Sequence, residues 1–572
     1  MKRCPECGRD YNDDSMSFCL DDGAELLFGP ASMDEPATAI LSEPPAVAGG
    51  LTGVTDESES ETAILQPLAT AGGSDQARAF DKRLLLTPVV LAVIVLGGFF
   101  GYRYLKPAAS EQINSMAVLP FENRSGSTDT DYLSDGLADS LIYRLSQVPN
   151  LKVSPTSSVM RYKGKETDVA KISGELHVDA VMSGRLTQRG DDLSISVQLI
   201  DARNEKVIWA EQYDRKMADL LATQRELASA ITQKLQLNLS GVETKGITKK
   251  YTNSNEAYQL YLKARYQFAK RTKPDMLQAA EYYKQAIAID PGFALAYARL
   301  AEVYLNLPTY PYTSPDESLP QGRSAAQKAL EIDPDLAEAH SFTGFYLASY
   351  EWKWDEAERE FKRALELDPN SSAAHFRYGQ SLLVPTGRFD EGLGEMKKAI
   401  DLEPLDTVFG ATYVWGNLAA SQKEKALETA KKLYELEPNH PASRYYLARA
   451  YNASGMYGEA TTICENALKS DPTSQMMLDE LGIAYARSSQ RDKAEDVLKR
   501  LRELSKTQYV GAGNIATIYT ALDRRDDAFN MLETAYKSHD WYLHRLKVEP
   551  FLTPLRDDPR FKELLKRMNL TE

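Results

Sequence analysis

Apolar and polar positions change rhythm several times along this chain. Beyond residue 250 the period is helical, and helix-ending prolines fall at Pro291, Pro334, Pro369, Pro404, Pro438 and Pro472, spaced 43, 35, 35, 34 and 34 residues apart. A fixed period of about 20–50 residues marks stacked units that bury their apolar faces only against neighbours. Positions inside the units agree: Leu447, Ala448, Tyr451 and Ala460 of one match Leu481, Gly482, Tyr485 and Ala494 of the next. This predicts helix–turn–helix units over 255–540, eight in number, beginning near residues 257, 294, 337, 372, 407, 441, 475 and 509. The longer first interval holds PTYPYTSPDESLP (308–320), expected to be a protruding loop, and 541–572 is expected to form a capping helix with a turn at DDPR.

Residues 115–240 switch between strand and helix periods. MAVLPF (116–121) and LKVSP (151–155) predict short strands, and Leu133, Leu137, Leu141 and Leu145 set a helix between them. A helix over 167–177 follows. Residues 180–188, 193–202 and 206–214 alternate as strands joined by Gly190-Asp191-Asp192 and Arg203-Asn204-Glu205 turns, and a helix over 218–237 closes an α+β domain. Upstream, 84–102 (LLLTPVVLAVIVLGGFFGY) carries no charge. Its 19 residues would span roughly 28 Å as a helix, about a bilayer core. Lys82, Arg83, Arg103 and Lys106 bracket the run as interfacial anchors, so a single transmembrane helix is predicted. Arg78, Lys82 and Arg83 outnumber the two cations after it, which favours a cytoplasmic N-terminus, extracytoplasmic C-terminal domains and residence in the cytoplasmic (inner) membrane.

Charge refines the picture. The formal net charge is −15, and residues 1–80 hold 15 acidic and 4 basic residues. Such a balance disfavours phosphate-driven nucleic-acid binding. Residues 27–83, rich in Ala, Pro, Ser, Gly and acid, are expected to be a disordered linker. Residues 1–26 contain Cys4 and Cys7 in a C-x-x-C knuckle, then Cys19 and Asp22 at the same spacing. Zinc takes four tetrahedral donors from paired knuckles, so a structural zinc on Cys4, Cys7, Cys19 and Asp22 is expected, with Asp21 or an external donor as the alternative fourth ligand. Thr38 and Thr62 lie in the near-repeat EPATAIL and SETAILQ, acid before and Leu41 or Leu65 three residues after. That pattern resembles threonine phosphosites read by forkhead-associated domains, which makes a Ser/Thr kinase or such a domain a candidate partner.

Thirty-four residues is the tetratricopeptide period, and the units resemble that family. The resemblance implies an all-α solenoid whose concave face binds protein or peptide. Candidate contacts are polar positions of the first helices: His340, His375, Arg377, Arg444, Asn452 and Arg487. VLPFENRSGSTDTDYLSDGLADSLIYRLS, SSVMRYKGK, LIDA and IWAEQYDR resemble the TolB-like, FlgO-related amino-terminal domain of bacterial repeat proteins, over most of 115–239. There Phe121, Asn123, Asp135 and Gly136 match the motif as loop and packing determinants, and Trp209 is expected in the core. The ribbon resembles short zinc ribbons opening bacterial membrane and signalling proteins, with the last Cys of the second knuckle missing.

The fold class is thus multidomain: zinc ribbon, transmembrane helix, α+β TolB-like domain and all-α tetratricopeptide solenoid. No phosphate loop, H-E-x-x-H, G-x-S-x-G or dinucleotide fingerprint occurs. No small-molecule substrate is expected, and lone Cys464 is expected to be a buried small hydrophobe. The function expected is a membrane-anchored, non-enzymatic adaptor or scaffold in signalling or envelope assembly. The alternatives are a ribbon-bearing transcription-linked regulator and a purely structural envelope protein.

Overall fold

The computed structural model describes residues 113–570 apart from 128–129, 149–150, 166–167, 236 and 238–247, together with six residues of three short strands nearer the N-terminus. The chain divides into two compact units, Met1–Tyr102 and Arg103–Glu572. In the first, β1 (Lys2–Arg3) pairs antiparallel with β2 (Asp10–Tyr11) and with β3 (Leu27–Phe28). Cys4 and Cys7 fall between β1 and β2 in sequence, Cys19 and Asp22 between β2 and β3. These four, Thr38, Thr62 and the apolar run 84–102 lie outside the described residues. Among the described residues no helix is long and apolar enough to cross a membrane.

The second unit opens with an α/β region. Its strands are β4 (Ser115–Val118), β5 (Glu122–Asn123), β6 (Lys152–Ser154), β7 (Ala180–Arg189), β8 (Asp192–Asp201) and β9 (Lys206–Lys216). The sheet order is β6-β4-β7-β8-β9, with β5 also on β7; β4 runs parallel to β6 and β7, and β7-β8-β9 is an antiparallel meander. Both predicted turns close it, with Gly190 at φ +60° and Glu205 at φ +55°. Along β8 Leu193, Ile195, Val197 and Leu199 are buried while Ser194, Ser196 and Gln198 alternate outward, so one face is packed and one solvated. Helices α1 (Asp131–Ser146) and α3 (Leu220–Lys234) pack together, α1 also against β4 and α3 against β9. Between them in sequence, α2 (Val169–Leu176) begins where the Asp168 side chain accepts a hydrogen bond from Lys171 N and ends on left-handed His177. Phe121 and Trp209 are buried, and a Cβ on Gly184 would lie 2.9 Å from the Phe121 ring, so this strand crossing needs glycine.

Eight antiparallel helix pairs follow. They are α4 (Asn255–Ala269) with α5 (Lys273–Ile289), α6 (Ala294–Asn306) with α7 (Pro315–Ile332), α8 (Ala337–Ser349) with α9 (Trp354–Leu367), and α10 (Ser372–Tyr378, extended by a π-turn over Gly379–Leu383) with α11 (Phe389–Leu402). Then come α12 (Thr407–Ala419) with α13 (Lys423–Leu436), α14 (Pro441–Ala453) with α15 (Tyr457–Ser470), α16 (Gln475–Arg487) with α17 (Arg491–Leu504), and α18 (Ala512–Ala521) with α19 (Arg525–Lys537). Small residues set the close crossings: a Cβ on Gly482 would meet Ile518 at 2.7 Å, and one on Gly379 would meet the Gly392 carbonyl at 2.6 Å.

Two expectations are corrected. Residues 308–320 do not protrude. Pro315 starts α7, as proline suits a first helical position. Thr313 and Ser318 are buried with their hydroxyls 2.7 Å apart, and the Tyr312 hydroxyl donates to the Arg271 carbonyl at 3.0 Å. Nor do residues 541–572 form one helix. Two 3-10 stretches, Trp541–Val548 and Pro550–Leu555, precede α20 (Pro559–Arg567), which starts only where the Asp558 carboxylate caps Arg560 N ahead of its proline.

Candidate partner-binding groove

The first helices of the pairs form one continuous wall, and the chain itself covers much of it. On the N-terminal side, α1 lies on α4. The Tyr258 hydroxyl donates to Ser140 at 2.7 Å, Arg265 pairs with Asp139, and the Tyr143 hydroxyl donates to Glu338 at 3.1 Å. Lys249 pairs with Asp333 at 2.6 Å, Arg161 lies 3.6 Å from Glu437, and Ser157 donates to Glu403 at the end of α11. Beneath this contact Arg299 bridges Glu302 (2.9 Å) and Glu338 (3.2 Å), and Arg377 also pairs with Glu302 (3.2 Å). Burial opposes ionisation of Glu302, but Arg299 and Arg377 outweigh it and hold the carboxyl at about 2.

On the C-terminal side, Trp541–Leu555 folds back against the first helices of repeats 3, 5, 6 and 8. The Arg545 guanidinium stacks 4.6 Å from the ring centre of Trp415 in α12, and Arg449 in α14 pairs with Glu549 at 2.6 Å. A Cβ on Gly513 in α18 would meet Tyr542 at 2.6 Å. The circuit closes at repeat 3: Trp352 stacks on His539 and Tyr536, the His539 ring bonds the Tyr350 carbonyl, and Trp354 Nε1 donates to the Met568 carbonyl at 2.9 Å.

This arrangement relocates most of the sequence candidates. His340, His375 and Arg444 each sit fourth in the first helix of repeats 3, 4 and 6, and each bonds the carbonyl of the proline six residues upstream: Pro334 at 2.9 Å, Pro369 at 3.0 Å and Pro438 at 2.7 Å. The second ring nitrogen of His340 and of His375 faces Glu360 and Glu395, on the second helix of the same repeat. These side chains strap each repeat to its entry turn. Burial works against a charged His340 ring, and the Glu360 and Pro334 acceptors outweigh it, so the ring titrates above its ordinary value. Arg377 belongs to the buried ion network, and Asn452, 4% exposed, donates to the Glu480 carbonyl and carboxylate at 2.9 Å. Of the six, Arg487 is exposed. Cys464 is buried, and burial pushes its thiol well up.

Sequence reasoning missed Trp415, Arg449, Glu480, Arg545 and Glu549, all buried. For Arg449 and Glu480 the one signal was charge where the repeat is apolar: Arg449 stands between Ala448 and Ala450, and Glu480 precedes Leu481. Among the described residues no group of His, Cys, Asp and Glu side chains has the makings of a metal site.

Residues 346–406 and 417–478 match tetratricopeptide repeat models, and residues 111–234 match the second domain of HilA/YgeH-like transcriptional regulators. The chain is 32% identical over 246 residues to "Putative adenylate cyclase 3" of Rhizobium meliloti (strain 1021), covering 43% of this chain and 42% of that protein. It is 22% identical over 258 residues to "Transcriptional regulator HilA" of Salmonella typhimurium, covering 43% and 44%. The chain thus spans less than half the length of these curated relatives. Similar solved structures include Pseudomonas aeruginosa PilF (22% identity, TM-score 0.29, 38% of this chain and 93% of that one) and the type IV pilus biogenesis factor PilW (20%, 0.31, 38% and 96%). The chain contains a tetratricopeptide solenoid preceded by an α/β region.

Proposed function

We propose that the protein is a membrane-anchored, non-enzymatic adaptor whose α/β region and repeats form one partner-binding body. The observation that carries this is the eight stacked helix pairs, an architecture whose repeated surfaces suit protein or peptide recognition. The α/β region serves as a TolB-like module, and its similarity to a HilA second domain supports a regulatory setting. Leu84–Tyr102 is the anchor, with the repeats outside the cytoplasm. The N-terminal ribbon holds a structural zinc on Cys4, Cys7, Cys19 and Asp22, and Thr38 and Thr62 present phosphothreonine to a forkhead-associated partner.

A topology reporter active only outside the cytoplasm tests the anchor. Fused after Glu572 it is expected to be active, and fused before Met1 silent. The reverse pattern overturns the orientation, and silence in both, with the chain recovered in the soluble fraction, overturns the anchor.

A further inference from the structure

The segment that closes the wall has the composition of a bound ligand. Leu543, Leu546, Leu552 and Leu555 are fully buried and supply its apolar grip. Its polar anchors differ from ordinary core. Arg545 is 1% exposed, and its guanidinium lies over Trp541 (4.3 Å), Trp415 (4.6 Å) and Tyr542 (5.7 Å). Among the described residues, its buried Nε and Nη2 meet no hydrogen-bond acceptor. Four residues on, Glu549 reaches Arg449.

The wall does not depend on the segment for neutrality. Arg449 is also paired with Glu480 at 2.7 Å, and Asn452 bonds the same carboxylate, so departure of Glu549 strands no charge there. Removing one partner of a buried ion pair ordinarily leaves an uncompensated charge behind; here it does not. The segment is held at both ends, at Asp540, which accepts from Gly513 N (3.0 Å) and Tyr542 N (2.9 Å), and by α20, where Arg560 pairs with Asp526 and Arg567 with Glu533. With its ends so docked, the segment between them could leave the wall only if something of equal apolar content took its place.

We infer that Trp541–Leu555 is a built-in ligand, and that the partner of this groove is a peptide segment of the same chemistry: an arginine framed by aromatic residues, with a carboxylate four residues after it and leucines on both sides of the arginine. The inference rests on the adaptor reading and says which surface the partner uses.

The probe is a fluorescein-labelled peptide of residues 539–557 of this chain, titrated into the full chain. Arg545→Ala in the protein weakens the strap, so the peptide is expected to bind that variant at least about tenfold tighter than wild type, since apparent affinity scales with the open fraction. A peptide carrying the same replacement is expected to bind at least about tenfold more weakly. Hydrogen exchange of 541–555 should accelerate when the peptide binds. Equal or absent binding to both chains, with 541–555 still protected, overturns the inference. Should Arg545→Ala lose its cooperative melt, a protease site placed at Ser538–His539 in the wild-type chain gives the same test: the labelled peptide exchanges in after cleavage, or the strap is permanent. A partner that crosslinks elsewhere while 541–555 stays protected defeats this inference and leaves the adaptor reading intact. Peptide exchange without any protein partner on the repeats does the opposite.

Discussion

Arg449 shows what a single charged residue does inside this solenoid. It is 2% exposed and stands between two carboxylates, Glu480 at 2.7 Å and Glu549 at 2.6 Å, with the Phe551 ring 4.7 Å away. Replacing it with an apolar residue of similar length leaves two buried acids without a counter-charge. Breaking a buried pair from one side costs about 3–5 kcal/mol. Arg449→Met should therefore lower unfolding stability by that order in urea titration. Adding Glu480→Met and Glu549→Met should recover much of the loss, because apolar groups then fill the site with no charge to solvate. A single Arg449→Met that melts like wild type would mean the cluster is solvated.

Helix ends carry a second layer of electrostatics. The second helices end on an acid at Asp290, Asp333, Asp368, Glu403, Glu437 and Asp471. Burial raises the Asp368 carboxyl from 3.8 to about 7, with Glu338 adding repulsion, and burial raises the Glu403 carboxyl beside Asp406. For such acids the folded state holds the proton more tightly than the unfolded chain. Their stabilisation is complete below the ordinary carboxylate range and fades as pH rises through the folded value. Asp368→Asn should thus flatten the fall in stability between pH 4 and 7 and raise stability at pH 8, by on the order of 1–3 kcal/mol at about 1.4 kcal/mol per unit. Chemical denaturation at both pH values checks it, and an unchanged slope sinks it. The same helix ends explain what was legible in the sequence. Period, proline spacing and strand alternation depend on neighbours in the chain, so seven of the eight repeat starts fall within two residues of the observed helices and the eighth within three. The groove was not legible, because its partners are far apart: Arg449 and Glu549 are separated by 100 residues, Trp354 and Met568 by 214. A periodic pattern says how units stack and is silent on what folds back over them.

Across the whole second unit, the α/β region and the repeats are joined by packing as well as charge. At the centre Gly136 of α1 meets Leu262 of α4, where a Cβ would lie 2.8 Å from one leucine methyl and 3.0 Å from its Cβ. Around it stand the Arg265–Asp139 pair, the Tyr258–Ser140 bond and the Lys249–Asp333 pair. A larger side chain at 136 cannot be absorbed by one flexible methyl alone, since the leucine Cβ is also in the way; overpacking of this kind costs about 1–3 kcal/mol. The strain falls on the contact between the sheet with α1 and α3 on one side and the stacked pairs on the other, which share one continuous buried core. Wild type should therefore melt in a single transition by calorimetry, and Gly136→Val should separate it into two, the lower one belonging to the α/β region. Adding Arg265→Ala should widen the gap, because Asp139 then loses its partner as well. If Gly136→Val instead lowers one undivided transition, α1 is part of the repeat core, and the array begins at Asp131 rather than at Asn255.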